Sequence, residues 1–355
     1  MSAEMKPWQR LAVVGSLLGA LAAVVAFLTQ RPQRVAVSPA VSAVAPSSSA
    51  ATPELIDPLR PDAPLRRDPA RAALPQDWAS ARPGFQRSLS AAQRGGIEPC
   101  STQPVDGSSL EDAVPLGTGK LSIPQSLAES SDATFDLIIH LHGEEPVRRE
   151  LIESGQQLVL FTLTLGPSES YGPLLTGAAS YQAIRAQVEQ ALSQRLGREL
   201  RARKIALSAW SAGFVGVAAA VSNDAGRGAD AVILIDGLHA PRNDRNLFEA
   251  QLAPFLEYAR LAASGQRFMF ISHSSIDPPG FASTTECAHY LIQRLGGQPE
   301  AVERRDRFGL ELVELFSRSE LHVRGYAGND KPDHCAQLAL LRDVYRTLGS
   351  RWATP

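Results

Sequence analysis

Cysteine is scarce in this chain of 355 residues, and the three present, Cys100, Cys287 and Cys335, stand at no spacing that holds a metal ion. That excludes a disulfide-dense miniature fold and the zinc-ribbon architectures. Charge of one sign is lacking as well. Net charge is −2 with both signs interspersed, and no basic stripe interleaved with aromatics occurs, so nucleic acid is not an expected partner. No internal repeat is present, which excludes solenoids and propellers.

One long uncharged apolar run precedes a charged, proline-rich stretch and shows no amphipathic pattern. Residues 11–29, dominated by Ala, Val and Leu, carry no charge, and at about 1.5 Å per residue such a helix crosses most of a bilayer core. Lys6 and Arg10 precede it within segment 1–10, as on the cytoplasmic side of an anchor, while Arg31 and Arg34 follow it. No compact A-x-A site sits directly behind the run. An uncleaved transmembrane anchor is therefore the preferred reading, and secretion after signal cleavage the alternative. Residues 30–110 are rich in Pro, Ala, Ser and Arg without sustained periodicity, the composition of a disordered linker. Residues 111–355 are then a folded domain carried outside the cytoplasm, at a bacterial inner membrane on its periplasmic side.

Within that domain, apolar runs of strand length alternate with patterns of helical period. Phe135–Leu141, Leu158–Leu165, Lys204–Trp210, Ala231–Ile235, Phe268–Ser272 and Leu321–Tyr326 read as strands, and Lys120–Pro124 as an early antiparallel one. Helices are expected over Ser180–Leu200, from the end of the elbow strand to Val221, over Leu247–Ala263 with a break or kink at Pro254, over Thr284–Leu295, and after His334. Alternation of this kind predicts an α/β architecture, a mostly parallel sheet flanked by helices. Ligands bind such sheets beyond the carboxyl ends of the strands, where His142, Ser211, Asp236 and His334 all fall.

The run Lys204–Gly213, KIALSAWSAG, carries the chemistry. A strand breaks at Ser211 and passes straight into the helical FVGVAAAV, a turn so tight that the residues two before and two after the serine must be small. Here they are Ala209 and Gly213, where the common pattern has glycine at both places. His142-Gly143 closes an early strand, and Gly328–His334 (GNDKPDH) follows the last one. With these three motifs, the domain resembles the α/β-hydrolases over roughly residues 116–352.

The resemblance implies a nucleophile, acid and histidine in that chain order, and no cofactor. Ser211 is the expected nucleophile, and His334, in the loop after the last strand, the expected base, since imidazole titrates near the working pH. Two carboxylates compete for the third place. Asp236 ends the strand next in sequence to the elbow strand and is preferred; Asp277 follows the strand where the family most often places its acid, and is the alternative. The backbone N–H of Ala212 and one from the loop at Gly143 or Glu144 are the expected oxyanion donors, with His142 grouped with them in the oxyanion and substrate-binding set.

No metal is expected, because His140 lies inside an apolar run and no carboxylate stands at a familiar distance from it or from His142, His239 and His273. If the domain is exported, Cys287 and Cys335 are a candidate disulfide. The implied activity is esterase or lipase-like acyl hydrolysis of a small-molecule or envelope ester, with the membrane as partner through residues 11–29; a catalytically silent hydrolase-fold scaffold is the alternative. Oligomeric state is not legible.

Overall fold

The computed structural model describes residues 109–111, 113–175, 180–222 and 227–353. The expected membrane segment 11–29 and the linker up to residue 108 lie outside the described residues. Among the described residues no helix is long and apolar enough to cross a membrane.

In chain order the strands are β1 (Val114–Leu116), β2 (Gly119–Ser122), β3 (Thr134–Leu141), β4 (Val159–Leu163), β5 (Arg201–Trp210), β6 (Ala231–Ile235), β7 (Ala240–Pro241), β8 (Phe268–Ser274), β9 (Phe281–Ala282), β10 (Glu300–Arg305), β11 (Glu311–Arg318) and β12 (Leu321–Tyr326). Ten of them form one sheet in the order β1-β2-β4-β3-β5-β6-β8-β12-β11-β10, and β7 pairs with β9 in a separate ribbon. From β4 to β12 the pairing is parallel. Both edges are antiparallel, through β1 and β2 on one side and β11 and β10 on the other. The fold is α/β, with a mostly parallel central sheet flanked by helices.

The central strands are apolar on both faces because helices cover both. In β3, Leu137, Ile139 and Leu141 point into one core and Ile138 into the other, the period of two that a pleated strand imposes. β6 divides likewise, Val232 and Leu234 against Ala231, Ile233 and Ile235. Helix Phe214–Val221 packs on the first face, and helix Leu340–Ala353 covers the second through Leu341, Val344 and Leu348. Each such aliphatic side chain contributes roughly 1.5–3 kcal/mol of burial.

The structure departs from the sequence expectation at identifiable points. The hairpin β10–β11, of which β10 is the edge of the sheet, carries EAVERR and ELVELFSR, half-exposed strands whose charged residues hide the apolar alternation. Helix Glu144–Ser154 also goes unread in the sequence; its first turn holds Glu144 and Glu145, which suit the positive end of the helix, and Gly155 at φ 72° stops it. Pro254 does not interrupt helix Arg245–Ala263, which is capped by the Asp244 carboxylate accepting from the N–H groups of Asn246 and Leu247. Ser283 and Glu286 form a reciprocal capping box at the start of helix Thr284–Arg294.

Candidate active site

Backbone strain gathers at the carboxyl edge of the sheet. Of the four described non-glycine residues with positive φ, three, His142, Ser211 and Asp236, at 75°, 49° and 40°, directly follow the adjacent strands β3, β5 and β6, while Ser319, at 50°, lies in the turn between β11 and β12. Positive φ costs an L-residue on the order of 1–3 kcal/mol, so it persists only where the surroundings enforce it. At Ser211 the enforcement is visible. β5 ends at Trp210, Ser211–Gly213 make one 3₁₀ turn, and helix Phe214–Val221 follows at once. A Cβ at Gly213 would lie 2.1 Å from the carbonyl oxygen of Leu141, so the turn closes onto β3 only with glycine there. A Cβ at Gly237 would lie 2.7 Å from the Ser211 carbonyl oxygen and 2.9 Å from its nitrogen. The turn after β6 therefore presses directly on the serine backbone.

Asp236, buried to 1% exposure, lies at the heart of a polar network. His334 Nδ1–H donates to Asp236 Oδ2 at 2.6 Å. Its other oxygen, Oδ1, accepts from the Thr284 hydroxyl at 2.7 Å and the Ser274 N–H at 2.9 Å. Burial alone would raise this carboxyl, but the hydrogen bond and charge of His334, with Thr284 and Ser274, outweigh it and hold Asp236 below the usual carboxylate range. The carboxylate thus stays ionised and fixes which ring nitrogen of His334 carries its proton, leaving Nε2 as the basic one.

His334 enters the site from the N-terminal turns of helix Lys331–Ala336, which Asp330 caps by accepting from the Asp333 N–H at 3.0 Å. Its ring stacks on Trp210, the residue before Ser211, at 4.9 Å between centroids. His142 stacks on Trp210 too, at 5.2 Å, and its Nδ1 shares a 2.9 Å hydrogen bond with the Tyr171 hydroxyl. Burial, and then the nearby charge of His334, lower the pKa of His142. These contacts bring Ser211, His334, Asp236 and His142 to one end of the sheet.

The expected donors sort differently. Ala212 lies in the first turn leading into helix Phe214–Val221, where N–H groups have no partner within the helix. Gly143, at φ 91°, packs so closely that a Cβ would meet the Trp210 ring at 3.0 Å. The His142 N–H is engaged by the Leu163 carbonyl at 2.8 Å. The Glu144 N–H reaches Thr164 Oγ1 at 3.4 Å, and the Glu144 carboxylate pairs with Lys120 at 2.5 Å.

Asp277, the alternative acid, is exposed and binds Arg242, which also pairs with Glu286 at 2.8 Å. It is not brought to His334; the Pro278-Pro279 turn leaves its carboxylate on the surface cation instead. The disulfide expectation is corrected as well. Cys335 is disulfide-bonded, but Cys287 is free and buried, its thiol pushed up to about 12 by burial, so the partner of Cys335 lies outside the described residues. His140 packs within the sheet, held between Ser208 Oγ at 2.7 Å and the His142 carbonyl at 2.8 Å. Sequence reasoning missed Thr284 and Ser274 as supports of Asp236, since neither belongs to a motif. Among the described residues one group has metal-ligand spacing, His273, His289 and Glu314.

No family model and no curated protein matches this chain. Solved structures similar to it include an IroE-like serine hydrolase from Shewanella oneidensis, 13% identical with a TM-score of 0.41 over 67% of this chain and 77% of that one. The siderophore hydrolase EstB from Aspergillus nidulans is 14% identical with a TM-score of 0.41, over 72% and 99%. An uncharacterised protein from Capnocytophaga ochracea is 10% identical with a TM-score of 0.38 over 67% of this chain, which spans 63% of that protein.

Proposed function

We propose that this protein is a serine hydrolase of carboxylic esters, acting through an acyl-enzyme on Ser211 with His334 as base and Asp236 as acid. The observation that carries the reading is the 2.6 Å bond from His334 to Asp236, beside a serine at φ 49° in a strand-to-helix turn. His334 Nε2 takes the Ser211 proton as Oγ attacks the ester carbonyl. Negative charge on the carbonyl oxygen meets the backbone N–H groups of Ala212 and Gly143, fixed donors worth roughly 2.7–4 kcal/mol each in the transition state. His334 then passes its proton to the departing alcohol, and a water molecule activated by the same ring hydrolyses the acyl-enzyme, returning the proton to Ser211. Asp236 keeps its negative charge throughout and stabilises the imidazolium.

Residues 11–29 anchor this domain to a membrane and residues 30–110 set its distance, with the domain outside the cytoplasm. The uncharged apolar run supports the anchor, and the disulfide at Cys335 supports an oxidising compartment. A fluorophosphonate probe tests the chemistry. Labelling of the wild type that vanishes in Ser211→Ala is the expected result; a folded wild type that takes no label refutes the reading.

A further inference from the structure

We propose that His273, His289 and Glu314 form a binding site for a divalent transition-metal ion, with zinc the best match to two imidazoles and one carboxylate. The donors come from three elements. His273 ends β8, Glu314 lies on β11, and His289 sits on helix Thr284–Arg294 one turn beyond Thr285. β12 runs between β8 and β11, and Gly325 on it pairs with both His273 and Glu314. A Cβ at Gly325 would lie 2.4 Å from Glu314 Cγ and 2.4 Å from His273 Cε1. Only a residue without a side chain lets the two donors converge over the strand that separates them.

Their orientation points to a cation. The Thr285 hydroxyl donates its proton to the Ser274 carbonyl at 2.7 Å, so towards His273 Nδ1, 2.9 Å away, its oxygen accepts. Nδ1 therefore carries a ring proton, and in the neutral ring Nε2 presents a lone pair. That lone pair faces Glu314 Oε1 at 2.8 Å, without the geometry of a hydrogen bond. His289 Nε2–H donates to the same oxygen at 2.7 Å, a proton that a bound cation displaces, and Glu314 Oε2 is buried with no hydrogen-bond partner. His273 and Glu314 are each 2% exposed. Two lone pairs held together away from water repel unless a positive charge lies between them. An acceptor fixing the far N–H of a ligating imidazole is the usual support of a metal site, and here the Thr285 hydroxyl takes that place.

Donors around a tetrahedral zinc stand about 3.3 Å apart, given zinc–nitrogen distances of about 2.0–2.1 Å, so loading requires an opening of about half an ångström. His289, half-buried at the wall of a groove lined by Arg242, Glu286, Tyr290 and Gln293, provides it on its side, and rotation of the Glu314 carboxylate, whose Oε2 has no hydrogen-bond partner, provides it towards His273; the groove also admits the ion and a water as fourth ligand. Ser274 follows His273, Thr284 precedes Thr285, and both hold Asp236. The ion thus clamps β8 to the helix that steadies the acid, and takes no part in chemistry at Ser211.

The test uses untagged full-length protein stripped with a chelator and titrated with zinc chloride by calorimetry, with metal content measured after desalting. The expected result is one ion per chain at micromolar affinity or tighter, a melting point raised by several degrees, and visible absorption bands on cobalt substitution. Glu314→Gln and the half-buried His289→Ala should each weaken binding by about 100-fold and abolish the thermal shift. Wild-type protein that keeps fewer than about one ion per ten chains overturns the site without reference to any variant, as does unchanged affinity in His289→Ala.

Discussion

Trp210 and His334 are joined twice: their rings stack at 4.9 Å with 28° between planes, and the indole Nε1–H donates to the His334 carbonyl at 3.3 Å. The residue before the expected nucleophile thereby holds the backbone and the ring of the expected base. A side chain in the elbow strand fixes a short helix 124 residues later. Trp210→Ala should lower kcat by about 10–100-fold through misplacement of the imidazole, with KM little changed. Trp210→Phe keeps an aromatic face but loses the donor, and should recover part of the rate. Steady-state kinetics on a p-nitrophenyl ester decides it. Equal losses in both variants would mean that stacking contributes nothing.

The two carboxylates proposed from sequence should separate cleanly. Asp236→Asn keeps the shape but replaces the fixed acceptor of His334 Nδ1–H, so kcat should fall by about 10⁴-fold. Asp277, exposed and paired with Arg242, should tolerate Asn within a few-fold. Comparable rates for Asp236→Asn and wild type would remove Asp236 from the reaction.

Contact between the two turns can be probed from the silent side. Gly237 touches only backbone at Ser211, and a methyl group there would sit 2.7 Å from its carbonyl oxygen. Gly237→Ala must push the serine or the Asp236 turn aside. We expect at least a 100-fold loss of kcat and a destabilisation of about 1–3 kcal/mol, read by kinetics and urea unfolding. Wild-type rates in Gly237→Ala would show that the elbow position is not critical.

How much of this site was legible follows from how local each signal is. Ser211 is readable because a tight strand-to-helix turn demands small residues at fixed offsets, and Gly213 meets that demand against Leu141. His334 is readable from its place after the last parallel strand. The choice between Asp236 and Asp277 is not local, since it depends on Thr284 and Ser274, 48 and 38 residues away in sequence. The grouping of His273, His289 and Glu314 was invisible for a related reason: β11 is a charge-rich strand next to the sheet edge that does not register as a strand, so nothing placed Glu314 one strand away from β8. The central parallel strands were legible because burial on both faces leaves them continuously apolar; the antiparallel edges, half in water, were not.

Buried histidines should set the acid side of the stability profile. Burial lowers the pKa of both His140 and His322 to about 3, well under the 6.5 of an exposed imidazole. Between those values the unfolded chain binds a proton at each position and the folded chain does not, so unfolding takes up protons and stability falls as pH falls. Their contribution is fully present above about pH 6.5 and lost on acidification, at about 1.4 kcal/mol per pH unit for each. Asp306 acts in the opposite sense: burial raises it to about 6, so below that pH the folded chain gains a proton that the unfolded carboxylate takes up only near 3.8. From about pH 6 to 4 these three groups leave a net uptake of one proton on unfolding, about 1.4 kcal/mol lost per pH unit. In His322→Gln one titrating group is gone, so the slope over this range should be shallower than that of the wild type by about 1.4 kcal/mol per pH unit. Urea unfolding of both proteins at half-unit steps from pH 7 to 4 measures the slopes. Parallel profiles would mean that His322 is solvated well enough to charge in the folded state.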